Sequence, residues 1–415
     1  MIDLRRARED DAYRRGIVRK GCDESRLDAL LSADDERRGL LTGVEELRAR
    51  QNAASKEIGK AAQGDRPAKI EAAAKLKEEL SALEARLSAA DVKVRELALQ
   101  IPNPASEETP DGGEDDFEVV GTVGEPGAAP PLDHADFGAA MGFVESETAA
   151  VISGSRFHYL MREAVLLELA LVQWVMTRLV EHDFVPVLPP VLVREQTMEA
   201  AGFFPTDRAQ VYDVDDGDLF LVGTAEVPLA GLHRDEIVEG DLPLRYAGFS
   251  TCFRREAGTY GKDTRGLFRV HQFDKVEMFS YADPDRSWDE HDSLLAIEES
   301  ILADLGIPYR VVNVAAGDLG APAAKKYDIE GWLPSEGRYR ELTSCSNYTD
   351  YSARRLGTRI RAEGGTRLVH TLNGTACAVG RTLLFLFEHY QDADGALTVP
   401  DVLRPFCGLD RIPPR

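Results

Sequence analysis

Cysteine is scarce. Only Cys22, Cys252, Cys345, Cys377 and Cys407 occur in 415 residues, an odd number without a C-x-x-C pair. That excludes a disulfide framework and a structural zinc site, and reads as buried free thiols in a reducing compartment. Long apolar runs are also missing. The most apolar stretch, residues 164–180, is broken by Glu168 and Arg178, whereas a membrane span needs about 20 uninterrupted apolar residues. The opening MIDLRRARED has no apolar core of a signal peptide. The expectation is a cytoplasmic protein with no membrane partner. Positive charge is in deficit, with 49 Lys and Arg against 72 Asp and Glu and a formal net charge of -23. Binding of nucleic acid through an overall basic surface is excluded, although a local site is not. Several catalytic signatures are absent too. Glu256 stands where a phosphate-binding loop ending in Gly261–Lys262 would need its first glycine. There is no G-x-G-x-x-G turn, H-E-x-x-H helix or G-x-S-x-G elbow, and no repeat of 20–50 residues.

The charge that is present is unevenly spread. Residues 1–100 hold 21 basic and 20 acidic residues, whereas residues 101–150 hold 12 acidic residues and no basic one. The first hundred residues therefore repel a polyanion least. Within them two stripes, apolar or small apart from Gln51, step by three and four, one through Leu40, Val44, Leu47, Gln51, Ala54, Ile58 and Ala61, the other through Ala73, Leu76, Leu80, Leu83, Leu87, Ala90, Val94 and Leu97. This is the heptad seam of a coiled coil. The segment AQGDRP between them contains Gly and Pro and predicts a reversal. The result is an antiparallel helical arm of roughly 50 Å, at 1.5 Å rise per residue, with Gly39 and Gly43 weakening its base. Such an arm is either a spacer or dimerisation element, or a carrier of exposed Arg and Lys for a partner.

Three divisions follow: an N-terminal arm domain (1–100), an acidic Pro/Gly-rich linker (101–150) with a short strand at 117–120, and a large domain (151–415). In the last, a long amphipathic helix at 156–182 precedes VPVLPPVLV (185–193), whose prolines mark an edge strand or interface segment. Strands at 219–224, 246–256, 267–281, 309–316, 339–348 and 366–373 cluster, with helices at 288–305 and 376–390 outside the cluster. The class is α+β, an antiparallel sheet flanked by helices.

Four segments could carry chemistry. In the hairpin 246–281, period 2 puts Arg269, His271, Phe273, Lys275 and Glu277 on one face, while Arg254 and Glu256 share a face of the outgoing strand. Unpaired charge is too costly to bury, so this face is not core. It is either a solvated, salt-bridged face or a platform on which Phe273 stacks a planar base. In HTLNGTACAVGRTL, Asn373 and Thr375 share a face, and Arg381 falls in the second turn of a helix, suited to a polyphosphate or to a neighbouring carboxylate. In ELTSCSN, Glu341 and Thr343 share a face with Ser344 beside them, a donor set for Mg²⁺. In VGTAEVPLAG, Thr224 and Glu226 share a face at a strand end.

These segments, with IPN at 101–103, GSRF at 154–157 and CFRREAGTYGKDTRGLFRVHQFDKVEMF at 252–279, resemble the bacterial-type seryl-tRNA synthetases, members of the class II aminoacyl-tRNA synthetases, over essentially the whole length. The resemblance implies a six- or seven-stranded antiparallel sheet, with an arm that holds the long variable arm of tRNA(Ser) and also suits tRNA(Sec). Motif 1 would be the long helix and the strand around Pro190, building a homodimer; the doubled proline leaves its partner Pro189 as an alternative. Motif 2 would be the Arg254–Glu277 hairpin and motif 3 the helix bearing Arg381. It implies that Arg254 binds the α-phosphate of ATP and the serine carboxylate. Glu256 would take the adenine amino group, with Phe273 stacked on the ring and Val270 lining it. Arg381 and Arg269 would hold the β- and γ-phosphates, and Glu341 and Ser344 Mg²⁺. Glu226 and Thr224, next to Ala225, would receive the serine amino group. Glu277 and Thr375, next to Asn373, would receive its hydroxyl. Arg255, Leu342 and Thr343 would also lie at the nucleotide. A ligase loading amino acids onto a carrier protein, which would lack the arm, and a non-catalytic RNA-binding relative are the competing expectations.

Overall fold

The computed structural model describes residues 1–214, 217–258, 261 and 265–415. It contains two compact units, Ile2–Pro102 and Asn103–Arg415, with Met1 grouped in the second. In the first unit, helices α1 (Leu4–Glu9) and α2 (Asp11–Arg19) precede α3 (Glu24–Lys60) and α4 (Arg66–Leu99). The two long helices, of 37 and 34 residues, pair along their apolar stripes. The reversal falls at 61–65, where the amide of Arg66 bonds the carbonyl of Ala62, and Pro67 sits in the first turn of α4. The pair is laced by Arg48–Glu84 (2.6 Å) and Lys69–Glu57 (3.0 Å). The expected weak point does not interrupt α3. A side chain at Gly43 would meet Leu83 at 3.1 Å, so this glycine serves close helix packing rather than an exit from the arm.

The second unit is built on an eight-stranded sheet. Its strands are β1 (Glu118–Val123), β2 (Val185–Val187), β3 (Leu244–Phe253), β4 (Gln272–Ala282), β5 (Tyr309–Asn313), β6 (Lys325–Leu333), β7 (Arg338–Asn347) and β8 (His370–Ala378). Their order is β1-β5-β6-β7-β8-β4-β3-β2. All neighbours are antiparallel except β2, which runs parallel to β3 at the edge. The sheet is thus larger than the six or seven strands expected, because the short strand expected in the acidic segment, here β1, joins its edge. That segment is no free linker. It also forms helices His134–Ala140 and Glu147–Ser153, and the Asn103 amide donates to the carbonyls of Pro322 and Tyr348. Pro186 lies in edge strand β2, where a missing N–H is tolerated, and Pro189 and Pro190 lie beyond it.

Other boundaries moved for local reasons. Helix α5 (Glu163–Glu181) begins later than expected because residues 159–160 form a strand with 144–145. Residues 219–221 pair in a separate three-stranded sheet, and 365–368 form a hairpin strand distinct from β8. The short helix α6 (Glu226–Ala230), helix α7 (Ser287–Asp304) and helix α8 (Val379–Tyr390) complete the frame. The core lies on both sheet faces. Val276 and Met278 of β4 join α5, α7 and α8 on one, while Phe279 and Tyr281 pack with Phe204, Phe220 and α6 on the other.

Candidate active site

Strand β4 shows how the sequence makes a cleft. Alternation puts Phe273, Lys275, Glu277, Phe279 and Tyr281 on one face. The apolar end is roofed by α6 and its neighbours, and the polar end opens into a cleft of about 610 Å³ that includes Arg254, Glu341 and Arg381. Contrary to the sequence expectation, this face is buried as it leaves the cleft: Glu277 is fully enclosed and Lys275 nearly so. The charges are tolerable because they are paired with each other. Three further groups complete the Glu277 carboxylate: the Thr224 hydroxyl (3.1 Å), the Asn373 amide (2.8 Å) and the Thr375 hydroxyl (3.3 Å).

Glu226 comes to the same pocket on the first turn of α6, with Ala225 buried beside it. A glycine permits this. A side chain at Gly248, which faces Glu277 across the ladder, would meet Leu229 at 2.7 Å and Ala225 at 3.1 Å. Burial pushes the Glu226 carboxyl up to about 8, reinforced by Glu277 and opposed by Tyr348, Lys275 and Arg254.

Deeper in the cleft's mouth, Arg254 donates to the carbonyl of Gly223 (3.3 Å) and lies over the Phe273 ring, 5.3 Å from its centre. Glu256, in a left-handed backbone conformation, is bridged by Arg269 at 2.8 Å. Val270 lines the cleft. The regular strand starts at Gln272, so Arg269 and His271 escape the expected alternation. His271 turns instead to the Arg254 carbonyl and the Phe157 ring. Arg255 is exposed and stacks on Tyr212 outside the cleft lining. In the loop after Gly258, Thr259, Tyr260 and 262–264 lie outside the described residues.

Strand β7 carries a bulge that the sequence did not reveal. Thr343 faces Ile329 but Glu341 faces Glu330, so Leu342 is the extra residue. Asp328 and Glu330 share a face by alternation, hence their partners Ser344 and Glu341 share it too, three residues apart. Thr343 is turned to the opposite face, and this corrects the expected Glu341–Thr343 pairing. Helix α8 begins at Val379, two residues before Arg381, so Arg381 lies in the first turn rather than the second. Its guanidinium donates to the carbonyls of Phe268 (3.3 Å) and Glu341 (3.0 Å), and lies 3.4 Å from the Glu341 carboxylate. Burial, weak at this half-exposed side chain, would push Glu341 up; Arg381, Lys326 and Arg254 outweigh it and hold the carboxyl at about 2. Asp328 next to it is buried and pushed up by burial against the pull of Lys326. Sequence reasoning missed Lys275 as a partner, although it stood between Phe273 and Glu277. Tyr348 and Asp328 carried no signal, because only folding brings them near.

Two family models match. The model for the Seryl-tRNA synthetase N-terminal domain covers residues 1–105, and the tRNA synthetase class II core domain (G, H, P, S and T) covers 210–390. The chain is 48% identical to "Serine--tRNA ligase" of Streptomyces coelicolor over 98% of both chains, and 48% identical to that of Thermobifida fusca over 100% of this chain and 99% of the other.

The chain belongs to the seryl-tRNA synthetases.

Among solved seryl-tRNA synthetases, one from Pyrococcus horikoshii complexed with ATP superposes with a TM-score of 0.93 at 38% identity, covering 100% of both chains. A cytoplasmic enzyme from Naegleria fowleri in complex with AMP superposes with a TM-score of 0.88 at 31% identity, over 100% of this chain and 99% of that one.

Proposed function

We propose that the protein is an ATP-dependent ligase that joins L-serine to tRNA(Ser), and to tRNA(Sec) by the same arm contact. The observation that carries the amino-acid assignment is the buried cluster of Thr224, Asn373 and Thr375 around Glu277, with Glu226 alongside. This set suits a small ligand with one cationic and one hydroxyl end. An analogue without the hydroxyl leaves buried polar groups unpaired and is rejected on that account. The adjoining cleft suits a nucleotide. Phe273 and Arg254 form a stacking platform, Glu256 offers an acceptor, and Arg381 offers a cation held by two carbonyls.

The first step is in-line attack of the serine carboxylate on the α-phosphorus, with pyrophosphate leaving. Arg254 orients both reacting groups and Arg381, with Arg269, binds the departing phosphates. Catalysis is positioning and charge stabilisation, without a covalent enzyme intermediate. In the second step the terminal hydroxyl of tRNA attacks the carbonyl carbon of the adenylate; the ester bond forms, the acyl–phosphate bond breaks, AMP leaves and the hydroxyl proton is lost. The donor set also fits Mg²⁺. Glu341 is an ionised carboxylate sharing a strand face with the Ser344 hydroxyl, and hard oxygen ligands with phosphate completing the shell are what this ion takes. When bound, the ion would neutralise charge on the phosphate oxygens. The near-neutral arm is the surface for tRNA. Two copies would pair through α5 and the segment around Pro190, in the cytoplasm; among the described residues no helix is long and apolar enough to cross a membrane.

Pyrophosphate exchange into ATP with each of the twenty amino acids tests the assignment. Serine alone is expected to drive exchange. No serine-dependent exchange, or equal exchange with alanine or threonine, would overturn it.

A further inference from the structure

Strands β7 and β8 pair only through Cys345–Gly374, Ser346–Asn373 and Asn347–Leu372. Beyond the Cys345–Gly374 rung they part, one prong carrying Ser344 and Glu341, the other Thr375. Each prong has a bulge near the fork, at Leu342 in β7 and at Ala376 in β8, where Val276 and Glu277 face Cys377 and Thr375. A fork between two bulged strands has few ladder bonds to fix it. Yet the amino-acid pocket depends on it, because Thr375 and Asn373 must keep their contacts with Glu277.

Beneath the fork, on the sheet face away from the cleft, lies Glu298 of α7. It is fully buried, and its carboxylate would stand 2.7 Å from a side chain at Gly374, with Met278 at 3.0 Å and Cys345 at 3.8 Å around the same point. Neither carboxylate oxygen makes a hydrogen bond of good geometry, nor does the Thr343 hydroxyl; the polar groups within its reach are that hydroxyl and the backbone of Thr375. The charged groups that act on it are the like-charged Glu277 and Asp328. Burial therefore keeps it well above the usual carboxylate range, and a neutral acid can both donate and accept. As packing alone, a leucine here would be cheaper than a buried carboxyl.

We propose that Glu298 is a positioning residue for serine recognition: wedged beneath the Cys345–Gly374 rung where the prongs part, with the Thr343 hydroxyl on one side and the Thr375 backbone on the other, it sets the hydroxyl-reading side of the pocket from behind the sheet. The proposal rests on the reading of Glu277 and Thr375 as the serine hydroxyl site. It predicts a selective effect, since Thr375 lies at the amino-acid end while the nucleotide platform lies off both prongs, with Phe273 on β4 and Arg254 just beyond the end of β3.

The experiment compares purified full-length wild type, Glu298→Leu and Glu298→Gln in serine-dependent pyrophosphate exchange, with KM for serine and for ATP measured separately and thermal melting recorded. Wild-type exchange with serine establishes the parent reading; without it that reading fails, independently of Glu298. Glu298→Leu should raise the KM for serine about tenfold, the size of one buried polar interaction, with ATP KM within about twofold and melting unchanged or higher. Glu298→Gln, which can still donate and accept, should restore serine KM to within about twofold. Wild-type serine KM in the leucine variant, an equal rise in both KM values, or no rescue by glutamine would each overturn the proposal. If the leucine variant does not fold, Gly374→Ala presses on the same carboxyl from the strand side. It should raise serine KM selectively, and an unchanged serine KM there counts against the proposal.

Discussion

Two carboxyl groups share one buried pocket, and only Glu277 has its lysine. Glu226 is left with its carboxyl pushed up to about 8 by burial and by Glu277, which has two consequences. The folded state holds a proton that the unfolded chain loses near its ordinary value of 4.5. Stability is therefore highest below that value and falls as pH rises toward 8. In Glu226→Gln this contribution disappears, so the stability of the variant relative to wild type should grow by roughly 1.4 kcal/mol per pH unit between pH 5 and 8. Denaturant melts at several pH values check it, and a pH-independent difference would show that the group is not neutral when folded. A cationic amino group beside Glu226 favours the ionised form, so serine binding at pH 7 should also release protons, as read by calorimetry in buffers of different ionisation enthalpy. Much at this scale was legible in the sequence. Arg254, Glu256, Glu277 and Glu341 stood out because charge in segments that read as strands is expensive unless it is paired or lines a cleft, and Phe273 because it stands alone as an aromatic among them. The pairing of Lys275 with Glu277 was not legible, because residue types do not say who meets whom.

At the scale of elements, what sequence periodicity could not give was irregularity. A single extra residue at Leu342 reverses the faces of Thr343 and Ser344, and period-2 counting has no means of seeing it. Strand β8 likewise runs on to Ala378, delaying the helix and moving Arg381 to its first turn, because the glycine-rich run 373–380 is equally compatible with either element. The arm was legible except at its base, since a seam repeated over seven positions leaves little choice of structure, whereas Gly43 reads as a weak point and turns out to serve close packing against Leu83. Its chemistry predicts a separation of the two steps. Removing the distal half of the hairpin, residues 46–82, and closing it with a short Gly/Ser turn leaves the apolar base around Leu40, Val44 and Ala90. Serine-dependent exchange should stay within about twofold of wild type, because no cleft residue lies in the arm, while serine transfer to tRNA falls by 100-fold or more, roughly the loss of several phosphate contacts. Comparable loss of both activities, or of neither, would contradict a tRNA-holding role.

At the scale of the molecule, an apolar surface lies exposed around α5 and the strand edge beside it. On α5, Leu166 and Leu169 are exposed, and the adjoining edge strand and its continuation expose Val185 and Leu188, the latter at 79%. A parallel edge strand of three residues beside an apolar helix face is where a second copy would dock. The same helix sends Glu168 inward to Asp274, next to the stacking residue Phe273, and burial pushes that carboxyl up to about 8. Docking on α5 would thus steady the platform of the cleft from outside. Leu169→Asp should bring this to a test, since it places an unpaired charge in the contact and costs on the order of 3 kcal/mol, which weakens association by more than about 100-fold. Light scattering should report twice the mass of one chain for wild type and a single chain's mass for the variant, with exchange falling in parallel as the protein is diluted. A wild-type protein that is monomeric at micromolar concentration, or a monomeric variant with full exchange, would remove the link between the apolar face and the cleft.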